Sequence, residues 1–430
     1  MGIVFIIFAV LMIVGIPIYY VLGGTCLFYF ATHDLPAWTI LQRQFSGMNT
    51  FVQVAIPLFI LAGNIMDKGG SLGRIIHFAK VCVGRFKGGM AHINIVASMM
   101  FAGVTGSAVA DVAALGPMEI EMMTEQGYDK EYATALTCAS ASIGPIIPPS
   151  LPLIMYGVVS GTSVGALLMA GLVPGILMGI VLMLQVCWYA KKYNFPTSEA
   201  YSIKEIIKAL PEGFGALSIP IVVLGGIYTG YFTPTEAAGV ACVVSFLLGM
   251  FVYKELKWKD MPAILVNTGK TLGSCSAIFA MASCFSYMIT FENVPKMISE
   301  ILIGLTDNKY LLLLLVNIAL LIIGCFMEGI SSILITAPMI LPTLTAVGVD
   351  PVHLGVIMAL NTTLGLLTPP LGLSLFMANT VTKIPVMRIA RKAICTVGAN
   401  AVPYNILSCN RNIFTGINVG ELTAIDLPDY

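Results

Sequence analysis

The chain is 430 residues long, 57% hydrophobic and 10% charged, with 22 Lys+Arg against 22 Asp+Glu. Ordinary soluble domains carry roughly 25% charge, whereas apolar runs long enough to cross a bilayer recur here from end to end. Soluble-enzyme chemistry is set aside, a zero net charge offers no reason to expect nucleic acid as a partner, and the expected fold is an all-α polytopic membrane protein.

The apolar run Met1–Ala31 is too long for a cleaved signal peptide and has no basic leader. The ten Cys are scattered through apolar segments without a C-x-x-C pair, so they read as small core- or lipid-facing residues. Seventeen of the 22 Lys+Arg fall in Lys68–Lys87, Lys191–Lys208, Lys254–Lys270 and Lys383–Lys392. The positive-inside rule places these four segments in the cytoplasm.

In chain order, a first span is expected over Gly2–Ala31, followed by an external loop, His33–Thr50. The helix Phe51–Met66 returns inward. Lys68–Lys87, with Ile75, Ile76, Phe78, Ala79 and Val81 between its charges, reads as a helix on the cytoplasmic surface. Two arms too short to span, His92–Val104 and Ala108–Met123, form a re-entrant hairpin turned at Thr105-Gly106-Ser107. The loop Glu125–Glu131 is then cytoplasmic, against its mainly acidic composition. A helix broken at Gly144–Ser150 crosses outward over Tyr132–Ser160, and Val164–Ala190 comes back. Gly213–Gly230 goes out, Pro234–Val252 comes in, and Pro262–Thr290 goes out to the acidic loop Glu292–Asp307. A second hairpin, Tyr310–Phe326 with Gly329–Thr343, precedes a second broken helix, Val352–Val381. Of Ala393–Tyr430, only Ala393–Leu407 is apolar enough to insert.

The two hairpin-plus-broken-helix units repeat at one constant offset in numbering. Gly103 maps to Gly324, Pro117 to Pro338, Gly127 to Gly348, Asp129 to Asp350, Gly144 to Gly365, and Pro148-Pro149 to Pro369-Pro370. These are residues that fix backbone shape. Five crossings separate the hairpins, an odd number, so the repeats are expected to be inverted, with a site between them. The domains are then a scaffold at 1–90, a transport unit at 91–163, more scaffold at 164–308, a second transport unit at 309–382, and a C-terminal segment, 383–430.

Non-helical backbone within a membrane is tolerated only in a cavity or inside protein. A Pro-Pro pair removes two N–H donors and frees carbonyls, and oxygen-only clusters suit hard cations such as Na⁺. One candidate ion cluster is Thr105, Ser107, Gly144, Ile147 and Pro149. Its mate is Phe326, Glu328, Gly365, Thr368 and Pro370. Polar residues at or beside the tips and breaks, Ser107, Asp111, Ser150, Glu328, Ser331 and Thr362, are candidate substrate contacts. The alternatives are structural: Ser107 and Ser331 as caps of the returning arms, and Asp111 and Glu328 as acids stabilised by helix N-termini. Glu236, in Thr233-Pro234-Thr235-Glu236, is expected to cap a helix.

From Gly88 to Ala190 the one basic residue is Lys130, and from Leu311 to Thr382 there is none. An anion there would rely on half-helix N-termini and bound sodium, which makes the two ligands mutually dependent. Gly269-Lys270-Thr271 has the ending of a phosphate loop, but Ile264 stands where that motif needs Gly, so no ATP site is expected. His33, His77, His92 and His353 lack metal-ligand spacing.

The stretches Pro57–Asn64, Gly106–Asp111, Ile143–Ser150, Thr233–Ala237 and Leu367–Pro370 resemble the large membrane subunit of TRAP (tripartite ATP-independent periplasmic) transporters over about Gly2–Lys392. The resemblance implies a sodium-driven elevator transporter of the bacterial inner membrane. Its cargo would be a C4-dicarboxylate, sialic acid or similar organic acid delivered by a periplasmic binding protein. It also implies a small membrane subunit of about four helices, expected to be separate because nothing precedes the first span. The family's sodium sites fall on the tip and break positions named above. Within transport, the alternative is a stand-alone sodium/anion symporter. From another class it is a membrane-embedded hydrolase using Asp111 or Ser107, although no Ser/His or Ser/Lys pairing accompanies them.

Overall fold

A computed structural model of the chain describes residues 2–14, 16–33, 35–36, 38–49, 54–193, 195, 203–305, 308–369 and 372–393. Among them the structure is helical, with no β-strand. The C-terminal segment beyond residue 393 and Pro370 lie outside the described residues.

The expected first span is two helices, α1 (Gly2–Ile13) and α2 (Ile18–Thr32). Pro17 lacks an N–H and disfavours helical geometry at Ile16, so the apolar run is divided. The expected loop 33–50 is largely a helix, α3 (Trp38–Met48). α4 (Ala55–Lys68) and α5 (Ser71–Val83) follow. α5 is the expected amphipathic helix, but Ile75, Ile76 and Ala79 are buried against neighbouring helices instead of lying on lipid.

The first hairpin is α6 (Gly89–Thr105) followed by α7 (Ala108–Ala114) and α8 (Gly116–Glu125), which are divided just before Pro117. The first broken helix is α9 (Lys130–Ala141) and α10 (Leu151–Ser160). Then come α11 (Val164–Tyr193), α12 (Ile203–Tyr228), α13 (Pro234–Leu247) and α14 (Met261–Phe291). α13 begins with a capping box: Glu236 N donates to Thr233 Oγ1 at 3.3 Å, and Thr233 N donates to Glu236 Oε2 at 2.8 Å. The capping role expected of Glu236 is therefore met. The acidic loop after α14 contains a helix, α15 (Val294–Leu305). The second hairpin is α16 (Lys309–Phe326) with α17 (Gly329–Ala346), and the second broken helix is α18 (Pro351–Gly365) with α19 (Leu373–Thr382).

The elements repeat on the same offset as the sequence. α6 ends at Thr105 and α16 at Phe326; α7 with α8 covers Ala108–Glu125 and α17 covers Gly329–Ala346. Before each broken helix a glycine turns the chain with positive φ, +88° at Gly127 and +77° at Gly348. An aspartate then caps the helix: Asp129 Oδ1 accepts from Glu131 N at 3.4 Å, and Asp350 Oδ1 accepts from Val352 N at 2.8 Å. The hairpin arms are longer than the sequence suggested. At 18 residues, α16 and α17 each measure about 27 Å, close to the roughly 30 Å hydrocarbon layer.

Packing between the units is reciprocal: α10 lies on α17, and its counterpart α19 lies on α7. The broken helices run antiparallel. At one end, Lys130 Nζ at the start of α9 donates to Thr382 O at the end of α19, 3.5 Å away. At the other end, Tyr156 Oη near the end of α10 donates to Pro351 O at the start of α18, at 2.8 Å. Ion pairs Asp129–Lys392 (3.4 Å) and Glu131–Arg388 (3.6 Å) tie the acidic loop to the basic segment after α19. That loop and Lys383–Lys392 therefore share a side, which removes the conflict posed by the loop's own charge.

Around this pair, α4 packs on α13, and α14 packs on α2, α3 and α4. α14 also touches α17, while α11 touches α6, α10 and α18. Leu184 and Trp188 on α11, Phe251, Ile322 and Phe376 are exposed, an apolar exterior that suits lipid.

Candidate functional site

The hairpin tips are built differently. Tip 1 turns on Gly106, whose φ is +59°, and a Cβ there would press on Leu151 at 3.1 Å. This locks tip 1 against the start of α10. Tip 2 turns on Met327 and Glu328 in extended geometry, without a glycine. Ser107 and Glu328 hold the N-cap positions of α7 and α17, yet neither side chain makes a capping hydrogen bond. The capping alternative for Ser107 is therefore not the geometry observed.

Break 1 is a run of tight turns from Ser142 to Ser150. The Ser150 hydroxyl donates to Pro145 O and accepts from Leu153 N (3.2 Å), so it holds the break's own backbone. Asp111 is fully buried, and its Oδ2 lies where a Cβ on Gly144 would stand. Ile147 rests on Gly175 of α11, and a Cβ on Gly171 would come within 2.7 Å of Ile146 O. We expect Gly171→Val to destabilise the protein by about 1–3 kcal/mol through overpacking, read as a lowered melting temperature in detergent.

Break 2 is fastened to tip 2. Cys325 Sγ donates to Thr368 O at 3.0 Å, and Gly372 N donates to Cys325 O at 3.0 Å. Gly365 packs directly on Gly324, and Thr368 Oγ1 donates to Leu364 O at 3.1 Å. Thr362 is buried, with its hydroxyl bonded to Met358 O at 2.8 Å, and Ser331 is also buried. Phe326 borders a separate apolar cavity of about 390 Å³ beside α1 and α15. Thr105 is the last residue of α6.

A cavity of about 310 Å³ brings Ser107 of tip 1, Glu328 of tip 2 and Leu151, the first residue of α10 after break 1, together. Asn64 and Asp67 of α4 and Thr271 of α14 close it from the opposite side. The two helices are joined there by Asn64 Nδ2 donating to Thr268 Oγ1 at 3.0 Å. Asn64 closes the Pro57–Asn64 stretch that carries the family resemblance, but sequence patterns assigned none of these three residues a role in a site. Isolated polar side chains in apolar helices carry no spacing signal, and α4 and α14 are far apart in the chain. The wall includes two carboxylates and no Lys or Arg. Such a wall favours cations over anions.

A second cluster that sequence patterns did not reveal lies behind tip 1. Glu119 is buried and accepts from Asn94 Nδ2 at 2.8 Å; Asn94 also meets Thr137 at 2.7 Å and Ser140 at 2.6 Å. The repeat offset puts Leu315, Ile340 and Met358 at the positions of Asn94, Glu119 and Thr137, so unit 2 lacks this cluster. Instead it has Asn361 Nδ2 donating to Asn317 Oδ1 at 2.5 Å. Lys270 and Thr271 sit within the continuous helix α14, which provides no phosphate loop. Among the described residues, no group of three or more His, Cys, Asp or Glu could hold a metal ion.

Long apolar helices around a pocket between paired hairpins and broken helices define a multi-pass membrane permease. Residues 5–410 match the family model of the tripartite ATP-independent periplasmic transporter, DctM component, and the chain belongs to that family. It is 38% identical to the sialic acid TRAP transporter large permease of Vibrio cholerae, covering 81% of this chain and 82% of the relative. It is 36% identical to the C4-dicarboxylate large permease of the same organism, covering 92% of both. An isethionate permease of Oleidesulfovibrio alaskensis is 39% identical over 89% of this chain, which spans 61% of that relative. Among solved structures, the YdaH transporter of Alcanivorax borkumensis shares the fold, with a TM-score of 0.59 at 14% identity over 86% of each chain. The chain is thus a transporter permease of the bacterial inner membrane and not an enzyme.

Proposed function

We propose that this chain is the large subunit of a sodium-coupled importer of a small organic acid, worked by an elevator movement. The observation that carries the reading is the pocket joining both tips, which has acidic and hydroxyl groups but no base. Sodium at the tips and breaks would supply the positive charge that the cargo needs, so each ligand strengthens the other by the same factor. The carbonyls of Thr105, Gly144, Ile147 and Pro149, and those of Phe326, Gly365, Thr368 and Pro370, are the ligands we assign to it, with Ser107 and Glu328. No ATP takes part.

The cargo class is supported by the relatives' names: the sialic acid, C4-dicarboxylates and isethionate named for them are all small anions. By the same kinship we assign a periplasmic binding protein that delivers the acid and a small membrane subunit beside the scaffold. The antiparallel broken helices and reciprocal packing support two units inverted across the membrane. They would move together against α4 and α14. Asp67 adjoins the basic segment after α4, so the pocket lies toward the cytoplasm.

The reading is tested in proteoliposomes holding this chain and its small subunit, with binding protein outside. Succinate, N-acetylneuraminate and isethionate are offered in turn under an inward sodium gradient. One of them should accumulate only when the binding protein is present. Equal accumulation without it would favour the stand-alone symporter.

A further inference from the structure

A second cavity, of about 420 Å³, lies between α14 and the hairpin-and-break units. Its scaffold wall carries Arg43 of α3 and Ser283, Ser286 and Tyr287 of α14; Val158 of α10 and Leu334 of α17 face them. Phe279, the first residue of this cavity on α14, stands eight residues beyond Thr271 of the tip pocket, and Val159 stands eight beyond Leu151 on α10. At about 1.5 Å per residue, both helices place this cavity roughly 12 Å from the tip pocket. The displacement is away from Lys254–Lys259, which precede α14, and away from Lys130 on α9, toward the outer face.

The two cavities have opposite electrostatics. The tip pocket has carboxylates and no base; the outer one has an arginine and no acid. The guanidinium of Arg43 lies 4.0 Å from the centre of the Tyr287 ring. Stacking fixes its plane while leaving the N–H edge for a planar acceptor. Among the described residues, no carboxylate forms an ion pair with it. Ser283 Oγ donates to Arg43 O at 3.2 Å, anchoring α3 to α14 at this point.

We infer that this outer cavity is the receiving site for the cargo's acid group. Arg43 holds a carboxylate or sulfonate until the tips, raised by the separation of the two cavities, take it over with sodium. The inference rests on the carrier reading above. It explains how an anion enters a pathway whose inner site has no positive side chain.

The test uses the complete transporter in proteoliposomes, with whichever of succinate, N-acetylneuraminate and isethionate the wild type accumulates. Arg43→Gln should raise the KM for external acid at least tenfold, and Arg43→Lys should recover part of it. The sodium half-saturation, and the KM for efflux of acid loaded inside, should stay within twofold. Added salt should raise the wild-type KM more than that of Arg43→Gln. An external KM within twofold of wild type would overturn the assignment, as would equal losses on both faces or equal loss in Arg43→Lys. If the wild type accumulates none of the three acids, the carrier reading fails and takes this inference with it.

Discussion

Glu328→Gln and Asp111→Asn should each raise the sodium concentration for half-maximal uptake about tenfold or more. Each unit carries one acid in the opening turn of its returning arm, but at different positions. Glu328 occupies the cap of α17, where tip 1 has Ser107; Asp111 is the fourth residue of α7, where α17 has Ser332. Glu328 faces the pocket, and Asp111 stands behind it against Gly144 of break 1. A unit charge about 4 Å from a cation is worth about 4 kcal/mol at an effective dielectric constant of 20. The amides keep the shape and lose that attraction. Partial compensation by carbonyl oxygens leaves a loss on the order of 1.4–3 kcal/mol, or about 10–150-fold. Through linkage the acid's apparent affinity should fall at low sodium and recover at saturating sodium. Sodium curves that overlay the wild type would remove Glu328 from its ion site and deny the charge of Asp111, behind Gly144, any part in sodium binding.

Gly365→Ala should abolish uptake. A Cβ at Gly365 would stand 2.5 Å from Gly324 C, 2.6 Å from its Cα and 2.8 Å from Cys325 N. All three are backbone atoms, so no side chain can swing aside. Break 2 and tip 2 must separate instead, stretching the bonds from Cys325 to Thr368 and Gly372. Overpacking of this kind costs about 1–3 kcal/mol in stability, and the displaced carbonyls are those assigned to sodium. Gly239→Ala and Gly269→Ala are the controls, since a Cβ at either meets nothing within 4 Å. Uptake by Gly365→Ala within twofold of wild type would show that this contact is not needed for transport.

The repeat was legible because its markers are backbone-shaping residues. Glycines before Asp129 and Asp350, and helix-breakers at Gly144–Ser150, dictate conformation without reference to neighbours. The arm starts at Ala108 and Gly329 followed from the same logic. The split at Pro17 carried an equally local signal, hidden within an apolar run judged by its length. α3 and α15 are short helices in segments read as loops, because hydropathy finds spans and passes over short amphipathic helices.

The pocket's far wall was illegible for a different reason. Asn64, Asp67 and Thr271 meet the tips only through tertiary packing of α4 and α14. The acidic loop's placement likewise required Arg388 and Lys392, partners from the far end of the described chain. Asn94 and Glu119 became a cluster only once α6, α8 and α9 were seen side by side.

The most direct measurement is uptake into proteoliposomes holding the complete transporter, with binding protein and cargo outside and the membrane potential clamped. An inward sodium gradient should drive accumulation above equilibrium without ATP, and replacing sodium with potassium on both sides should abolish it. Undiminished accumulation in potassium would contradict sodium coupling at the tips and breaks.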